Sequence, residues 1–580
     1  MYDARPTTAL PAGVRIHRGA AAWDRVRAAA AAPRALVVLD TYPGVDLEAL
    51  RADVERFLPG FDILDVEDAA LPADVREARF ADTLTDDRVL GVLSHATIDQ
   101  LYDGAAVASI RDRVRDRSRP TVLIGWGAGY VEDAADVLVV VDLARWEIQQ
   151  RYRAGASNWR ADNGDEDILR KYKRGYFLEW RIADRHKLRL LPDADFVIDA
   201  DDQAEVRLLD GDSFRAAVED LARRPFRLVP YFDPGVWGGL WMNSTLGLER
   251  PEANLAWSFD GVPEENSLLF SDGDATFESP ALNLVLLHPR ELLGELTFAR
   301  FGAEFPIRFD FLDTMGGGNL SLQVHPLTEY MRDRFGMTYT QDESYYLLDA
   351  AEGATVYLGL KTGVDPVAME RDLRAAQQGG PAFPVEEYVN AFPAAKHDHF
   401  SIPAGTVHCS GADSMVLEIS ATPYIFTFKM WDWGRVGLDG VPRPVHLDHA
   451  LANIQWDRQT AWVAENLAGG PEEIARGDGW REERTGLHEF EFIEVRRHWF
   501  TGPVAHSTGG TVHMLNLVEG SEAVVESPTG EFPPFVVHYA ETFIVPADVG
   551  AYTVRPSGAG VGQTLATVQA SVRGTRREGV

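Results

Sequence analysis

Two textures of strand divide this chain, and the switch between them constrains its fold more than any other feature. Up to residue 222 the apolar runs are short, continuous and β-branched: ALVVLD (Ala35 to Asp40), TVLIGW (Thr121 to Trp126) and DVLVVVD (Asp136 to Asp142). Amphipathic patterns such as DLEALRADVERFL and AAVASIRDRVRDR lie between them. A strand apolar at every position is buried on both faces, and alternating helices then cover a parallel sheet. From about Phe226 the helical runs thin out. Short aromatic-rich strands follow at regular spacing: RLVPYF, FPIRFDFLD, NLSLQVH, SYYLLD, ATVYLGL, FSIPAG, MVLEIS and YIFTFKMW. Gly and Pro turn signals between such strands predict an antiparallel barrel or sandwich. One helical pattern, DPVAMERDLRAAQQG, interrupts the series, and a second strand-rich series runs from about residue 485 to 575. The expected fold class is multidomain α/β plus all-β. It comprises a doubly wound α/β domain (1–222), a central β-barrel with a helical insertion (223–460) and a C-terminal barrel (461–580). The basic tail RGTRREGV is expected to fray.

Charge and cysteine content exclude several functions. The formal net charge of −33 is spread along the 580 residues without a long acidic block. Nucleic acid and anionic membrane are therefore not expected partners, since phosphate backbones need a basic footprint. A small anionic ligand needs only a local basic pocket. The single cysteine, Cys409, rules out an intrachain disulfide and a Cys-rich zinc ribbon. No apolar run approaches the ~20 residues of a membrane span. The opening stretch MYDARPTTALPAGVRIHRG lacks the apolar core of a secretory signal, so a cytoplasmic location is expected.

The N-terminal region has no phosphate cradle. After Asp40 the sequence reads TYPGVDLEAL, and the glycines of GWGAGY (Gly125 to Tyr130) have neither GxxxxGK[ST] nor GxGxxG spacing. Arginines and lysines recur at helical spacing among acids from RWEIQQRYR to RIADRHK, which predicts a solvated helix face or, alternatively, a basic groove. This order of elements is weakly similar to nucleoside kinases of the uridine kinase kind. Without a P-loop lysine to hold the β/γ-phosphates, a degenerate or structural domain is expected.

The chemistry concentrates in GGNLSLQVHPLTEY (Gly317 to Tyr330). Gln323 and His325, two residues apart, project from one face of a strand. Inside a barrel they require either a metal ion or a hydrogen-bonded core, because burying either group unsatisfied is costly. Glu343 opens the aromatic strand ESYYLLDA, where an inward acid is unexpected, and His408 ends the turn SIPAGTVH. Two imidazoles, a carboxylate and an amide oxygen form a mixed N/O donor set for a divalent metal. Zinc suits them best, and the absence of thiolates points to a catalytic site.

Residues 226 to 456 resemble class I mannose-6-phosphate isomerase, the zinc-dependent family of the cupin superfamily. The likeness rests on VPYFDPGVWGG, FPIRFDFLDT, LSLQVHP, ESYYLLDA, IPAGTVH, VLEIS and WDWGR, in family order. The later order LVEGSEAVVE…ETFIVPADVGAYTV resembles the family's second cupin barrel. The resemblance implies one Zn2+ per chain held by Gln323, His325, Glu343 and His408. It also implies a sugar-phosphate substrate and interconversion of mannose 6-phosphate with fructose 6-phosphate through an enediolate. Carried over in the same way, Glu418 positions or shuttles a proton, or steadies a ligand histidine, and Ser321 lies near the substrate phosphate. Lys429 falls where the family has an active-site arginine, and Arg435 belongs to the WDWGR run. The cationic surroundings are thinned: Gly318 and Asn319 replace a Lys-Pro, and Gln341-Asp342-Glu343 replaces Lys-Thr-Glu. Either Arg435, Arg308 or N-terminal arginines hold the phosphate, or the substrate differs. Two other readings fit the residues: an Fe(II) oxygenase on the same donors, and a non-catalytic sugar-phosphate or nucleotide sensor.

Overall fold

The computed structural model describes residues 1–202, 204–250, 252–421, 426–440, 442–486 and 491–574. Residues 575–580 of the tail expected to fray lie outside them.

The continuous apolar runs form parallel strands Leu36–Thr41, Asp62–Asp65, Thr121–Gly125, Val137–Asp142 and Phe196–Asp199 of a seven-stranded sheet. Antiparallel Arg207–Asp210 extends it, and His17–Arg18 closes that edge. Helices Ala20–Ala29 and Leu47–Phe57 lay Trp23, Val26, Leu50 and Val54 on one face of the sheet. Helix Gly104–Arg115 covers the other face with Val107, Ile110 and Val114.

In an open α/β sheet, ligands bind beyond the carboxyl ends of the strands. Here protein groups fill that edge. Asp40 accepts from the Gly129 N–H at 2.8 Å and meets His186 Nε2 at 2.7 Å. Asp142 accepts from Lys187 at 2.7 Å and from Asn283 of the central region at 2.9 Å. Asp199 accepts from the Glu278 N–H at 2.9 Å.

The expected solvated face of the Arg-rich segment is corrected by these contacts. Helix Arg145–Arg153 and the continuous run of Ile168–Arg174, a π-helical turn Gly175–Glu179 and Trp180–Leu190 bury Arg145, Lys171, Lys173, Asp184, His186 and Lys187. Arg145 donates to Asp184 at 2.6 Å and to Glu264 of the central region at 3.4 Å. Charges at helical spacing therefore mark an ionic seam between two layers. Arg145→Ala would leave buried Asp184 without its cation, while Glu264 keeps Arg181, a loss expected to cost about 3 kcal/mol. Urea unfolding followed by fluorescence measures it, and a shift below about 1 kcal/mol would refute the seam's role.

The first residues depart from the 1–222 division. Thr8–Ala9 pairs with Ser267–Ser271, Tyr2 donates to Asp260 at 2.7 Å, and the Asp3 N–H donates to Glu541 at 2.7 Å. Buried Asp260 and Glu541, which flank Arg227, recruit this segment as a partner.

The central region carries a six-stranded sheet in the order His399–Ile402, Glu343–Ala350, Ser414–Ser420, Arg308–Asp313, Trp257–Gly261, Tyr231–Asp233. A five-stranded sheet faces it, in the order Val389–Pro393, Thr355–Leu360, His408–Ser410, Leu322–Val324, Phe428–Trp431. The expected helix insertion is Pro366–Gln377, capped by the Asp365 carboxylate. Three short helices, Leu282–Leu287, Pro289–Leu293 and Glu295–Phe301, were not anticipated by strand spacing. A second pair of antiparallel sheets, six- and four-stranded, builds residues 472–572. No helix among the described residues is long and apolar enough to cross a membrane.

Candidate metal centre

The three-residue strand Leu322–Val324 lies between His408–Ser410 and Phe428–Trp431, with Gln323 opposite both His408 and Lys429. His325 follows at once, and Pro326, which has no N–H to give the ladder, ends the strand. The turn before His408 depends on Gly405, at φ +85°, where a Cβ would meet the Asn453 carbonyl at 2.9 Å. Glu343 opens its strand in the facing sheet, paired with Ile402 and Ser420. Two sheets thus deliver their polar residues to one interior point.

There the geometry is specific. His325 Nε2 lies 3.0 Å from one carboxylate oxygen of Glu343, and His408 Nε2 lies 2.8 Å from the other. Donor atoms of the three residues all fall within 4.8 Å of one another. Each residue is at most 1% exposed. The opposite ring nitrogens point at backbone carbonyls, His325 Nδ1 at Phe426 O (2.7 Å) and His408 Nδ1 at Thr406 O (2.8 Å). A carbonyl only accepts, so each Nδ1 carries the proton, and a neutral ring then offers a bare Nε2 lone pair. His325 Nε2 and Glu343 Oε1 accordingly have no hydrogen-bond partner among the protein's groups. Lone pairs of two imidazoles directed at one carboxylate call for a cation between them. This is how metal-binding histidines are oriented, by a second bond that fixes the tautomer.

Gln323 completes the set, with its amide nitrogen 3.2 Å from His408 Nε2 and its oxygen accepting from Ser321 Oγ at 3.2 Å. A half-turn of the amide exchanges these atoms and aims the oxygen at the centre. Gln341 donates to Glu343 at 3.0 Å and to Glu418 at 3.3 Å. The two-residue spacing that marked Gln323 and His325 also relates Gln341 to Glu343, a signal present in the sequence but read there only as a lost cation. Arg308 donates to Glu418 at 2.7 Å and to Asp310 at 3.0 Å. Burial, then the charges of Asp310 and Glu343, push the Glu418 carboxyl well above its ordinary value. Burial likewise pushes Asp310 up to about 6, against the opposing pull of Arg308.

A cavity of about 340 Å³ opens beside the centre. Ser321, Gln323, Gln341, Glu418, Arg308 and Lys429 form its floor. Its far wall comes from the N-terminal region, through Trp146, Tyr152, Arg153, Leu169 and Tyr172, which strand and motif reading missed. Burial and nearby Arg443 draw Lys429 down to about 7. Arg435 stands apart from this floor, donating to Asp432 at 2.6 Å and to the Asn319 carbonyl at 2.7 Å. Those bonds fix a turn, and Arg435 is not among the residues that line the cavity.

Residues 21–223 match a family model described as Domain of unknown function (DUF8485). The chain is 24% identical over 237 residues to the mannose-6-phosphate isomerase of Bacillus subtilis, covering 40% of this chain and 69% of that protein. It is 24% identical over 229 residues to the mannose-6-phosphate isomerase of Streptococcus mutans, covering 39% and 66%. Among solved structures it is similar to the mannose 6-phosphate isomerase from Bacillus subtilis, with 18% identity and a TM-score of 0.48, covering 60% of this chain and 99% of that one.

Proposed function

We propose that this chain is a metal-dependent aldose–ketose isomerase that moves a proton between C1 and C2 of a hexose-sized sugar. The observation that carries the reading is His325 Nε2 and His408 Nε2, 3.0 and 2.8 Å from the two oxygens of the Glu343 carboxylate beside the cavity, with His325 Nε2 left without a hydrogen-bond partner. The named activity of the two relatives supports the reaction class, with mannose 6-phosphate to fructose 6-phosphate as the reference interconversion. His325, Glu343, His408 and the Gln323 amide oxygen would hold one divalent ion, zinc by donor type. When bound, such an ion supplies Lewis-acid polarisation of a sugar carbonyl.

The chain's own groups do the rest. Lys429, drawn down to about 7, exists at neutral pH in both its basic and its acidic form, as a proton carrier requires. Glu418 accepts from Arg308 and Gln341 on Oε1 and lines the cavity, where it can meet a sugar hydroxyl. Ser321 anchors Gln323 and offers a hydroxyl to the cavity. The cupin assignment of both barrels, and the division at about residues 222 and 460, belong to this proposal and draw support from the two paired-sheet units.

Chelation followed by reloading tests the reading. Isomerisation of mannose or mannose 6-phosphate is expected to fall below about 1% on metal removal and to return with zinc. Undiminished turnover after stripping would reject it. The two-histidine, one-carboxylate donor set also suits Fe(II) oxygen chemistry. Metal analysis of protein purified without added ions separates the two: stoichiometric iron with oxygen uptake supports the oxygenase.

A further inference from the structure

The cavity's charge pairing bears on its ligand. Resting on the isomerase reading, we propose that the sugar bound here is unphosphorylated, held through its hydroxyls and by apolar contact with aromatic rings. A phosphate monoester brings about −1.5 to −2 charges near neutral pH and is usually met by free guanidinium forks or lysines. The guanidinium groups lining this cavity are already engaged. Arg153 is bidentate to Asp233, at 2.7 Å on each arm. Arg308 is shared by Asp310 and Glu418, and Arg443 faces Asp432 at 3.0 Å, sharing that carboxylate with Arg435. Asp233, Asp310 and Glu418 line the same cavity. Releasing Arg153 or Arg308 to a phosphate would therefore leave an unpaired carboxylate next to the incoming anion.

Lys429, the one cavity-lining lysine among the described residues, is paired across strands with Gln323. It thus belongs to the reacting end of the cavity, not to the distal end where a terminal phosphate would lie. The cavity is lined by aromatic rings as well. Trp146 from the N-terminal region packs on Tyr231 with ring centroids 4.0 Å apart and under the Arg153 guanidinium at 5.0 Å, and Trp237 lies 5.3 Å from Trp257. Apolar ring edges suit the C–H surface of a sugar, and carboxylates steadied by arginines suit its hydroxyls as acceptors. The N-terminal α/β layer, whose own sheet edge is filled by protein groups, thereby acts as the specificity wall of the barrel's cavity.

The test uses the full chain reloaded with zinc, titrated with mannose, fructose and their 6-phosphates. Tryptophan fluorescence reports binding, and a coupled assay reports turnover. Each free sugar is expected to bind at least ~10-fold tighter than its phosphate, with the same order in kcat/KM. Equal or tighter binding of the phosphates, or no binding of any of the four, overturns the proposal. Preferential binding of free sugars without turnover would remove the isomerase reading while upholding the ligand class. Preferential turnover of the phosphates would do the reverse. Asp233→Asn, which frees Arg153, is expected to narrow the preference at least ~3-fold. An unchanged preference in that variant would overturn the charge-pairing argument and the proposal with it.

Discussion

Glu343→Gln protein is expected to retain less than about a tenth of the divalent metal bound by the wild type and to lose at least ~10³-fold in kcat/KM. Glu343 is the one anion of the three-residue cluster, wholly buried, with a carboxylate oxygen facing each histidine at 3.0 and 2.8 Å. An amide keeps the shape but loses the charge that makes a dication acceptable in a dry interior. It also supplies an N–H donor to one bare Nε2, satisfying in the metal-free protein what the carboxylate cannot. The variant should therefore be no less stable than metal-stripped wild type. Zinc at ~100-fold above its Kd should stabilise only the wild type, by about 2.7 kcal/mol. Melting curves with and without zinc, together with metal emission spectroscopy, check both parts. Full metal occupancy in E343Q would show that the Glu343 carboxylate is not needed to hold the ion.

Lys429 carries the second large effect. Burial first, and then the adjoining Arg443, bring its ammonium down to about 7. As the base in proton transfer it must be neutral, so kcat/KM is expected to climb with pH up to about 7 and then level. Lys429→Arg, whose side chain does not titrate in this range, should lose ~10²–10⁴-fold and show no such rise. Stability should also rise with pH, over a higher window. The folded pKa lies below the unfolded one, so the unfolded chain binds the proton more tightly. That penalty is complete below about 7 and fades as pH rises toward the ordinary lysine value. Lys429→Met should then be more stable than wild type at pH 6, by roughly 1–3 kcal/mol. Wild-type activity in Lys429→Met would dismiss Lys429 as the proton carrier, whatever its stability.

Strand texture and spacing located much of this molecule. The unbroken apolar runs at 35–40, 121–126 and 136–142 demanded burial on both faces, and they are central parallel strands. The i, i+2 relation of Gln323 and His325, the inward acid at Glu343 and the turn before His408 are local signals, and the interior cluster contains all four residues. Periodicity reports which face of an element is buried; it does not report what that face meets. The charges between Arg145 and Lys187 illustrate the difference, since solvated and buried ion-paired helices share the same spacing.

By itself, then, the order of residues determined the two fold textures, the faces of the strands and the donor types gathered in the central barrel. Those follow from backbone geometry within a few residues. Tertiary structure alone decided that Phe426 and Thr406 carbonyls set both histidine tautomers, that Asp233 occupies Arg153, and that Trp146 and Tyr172 wall a cavity in a barrel formed later in the chain. Each of these depends on how packed layers bring side chains and carbonyls together, often across a hundred residues or more, and no local repeat encodes that meeting.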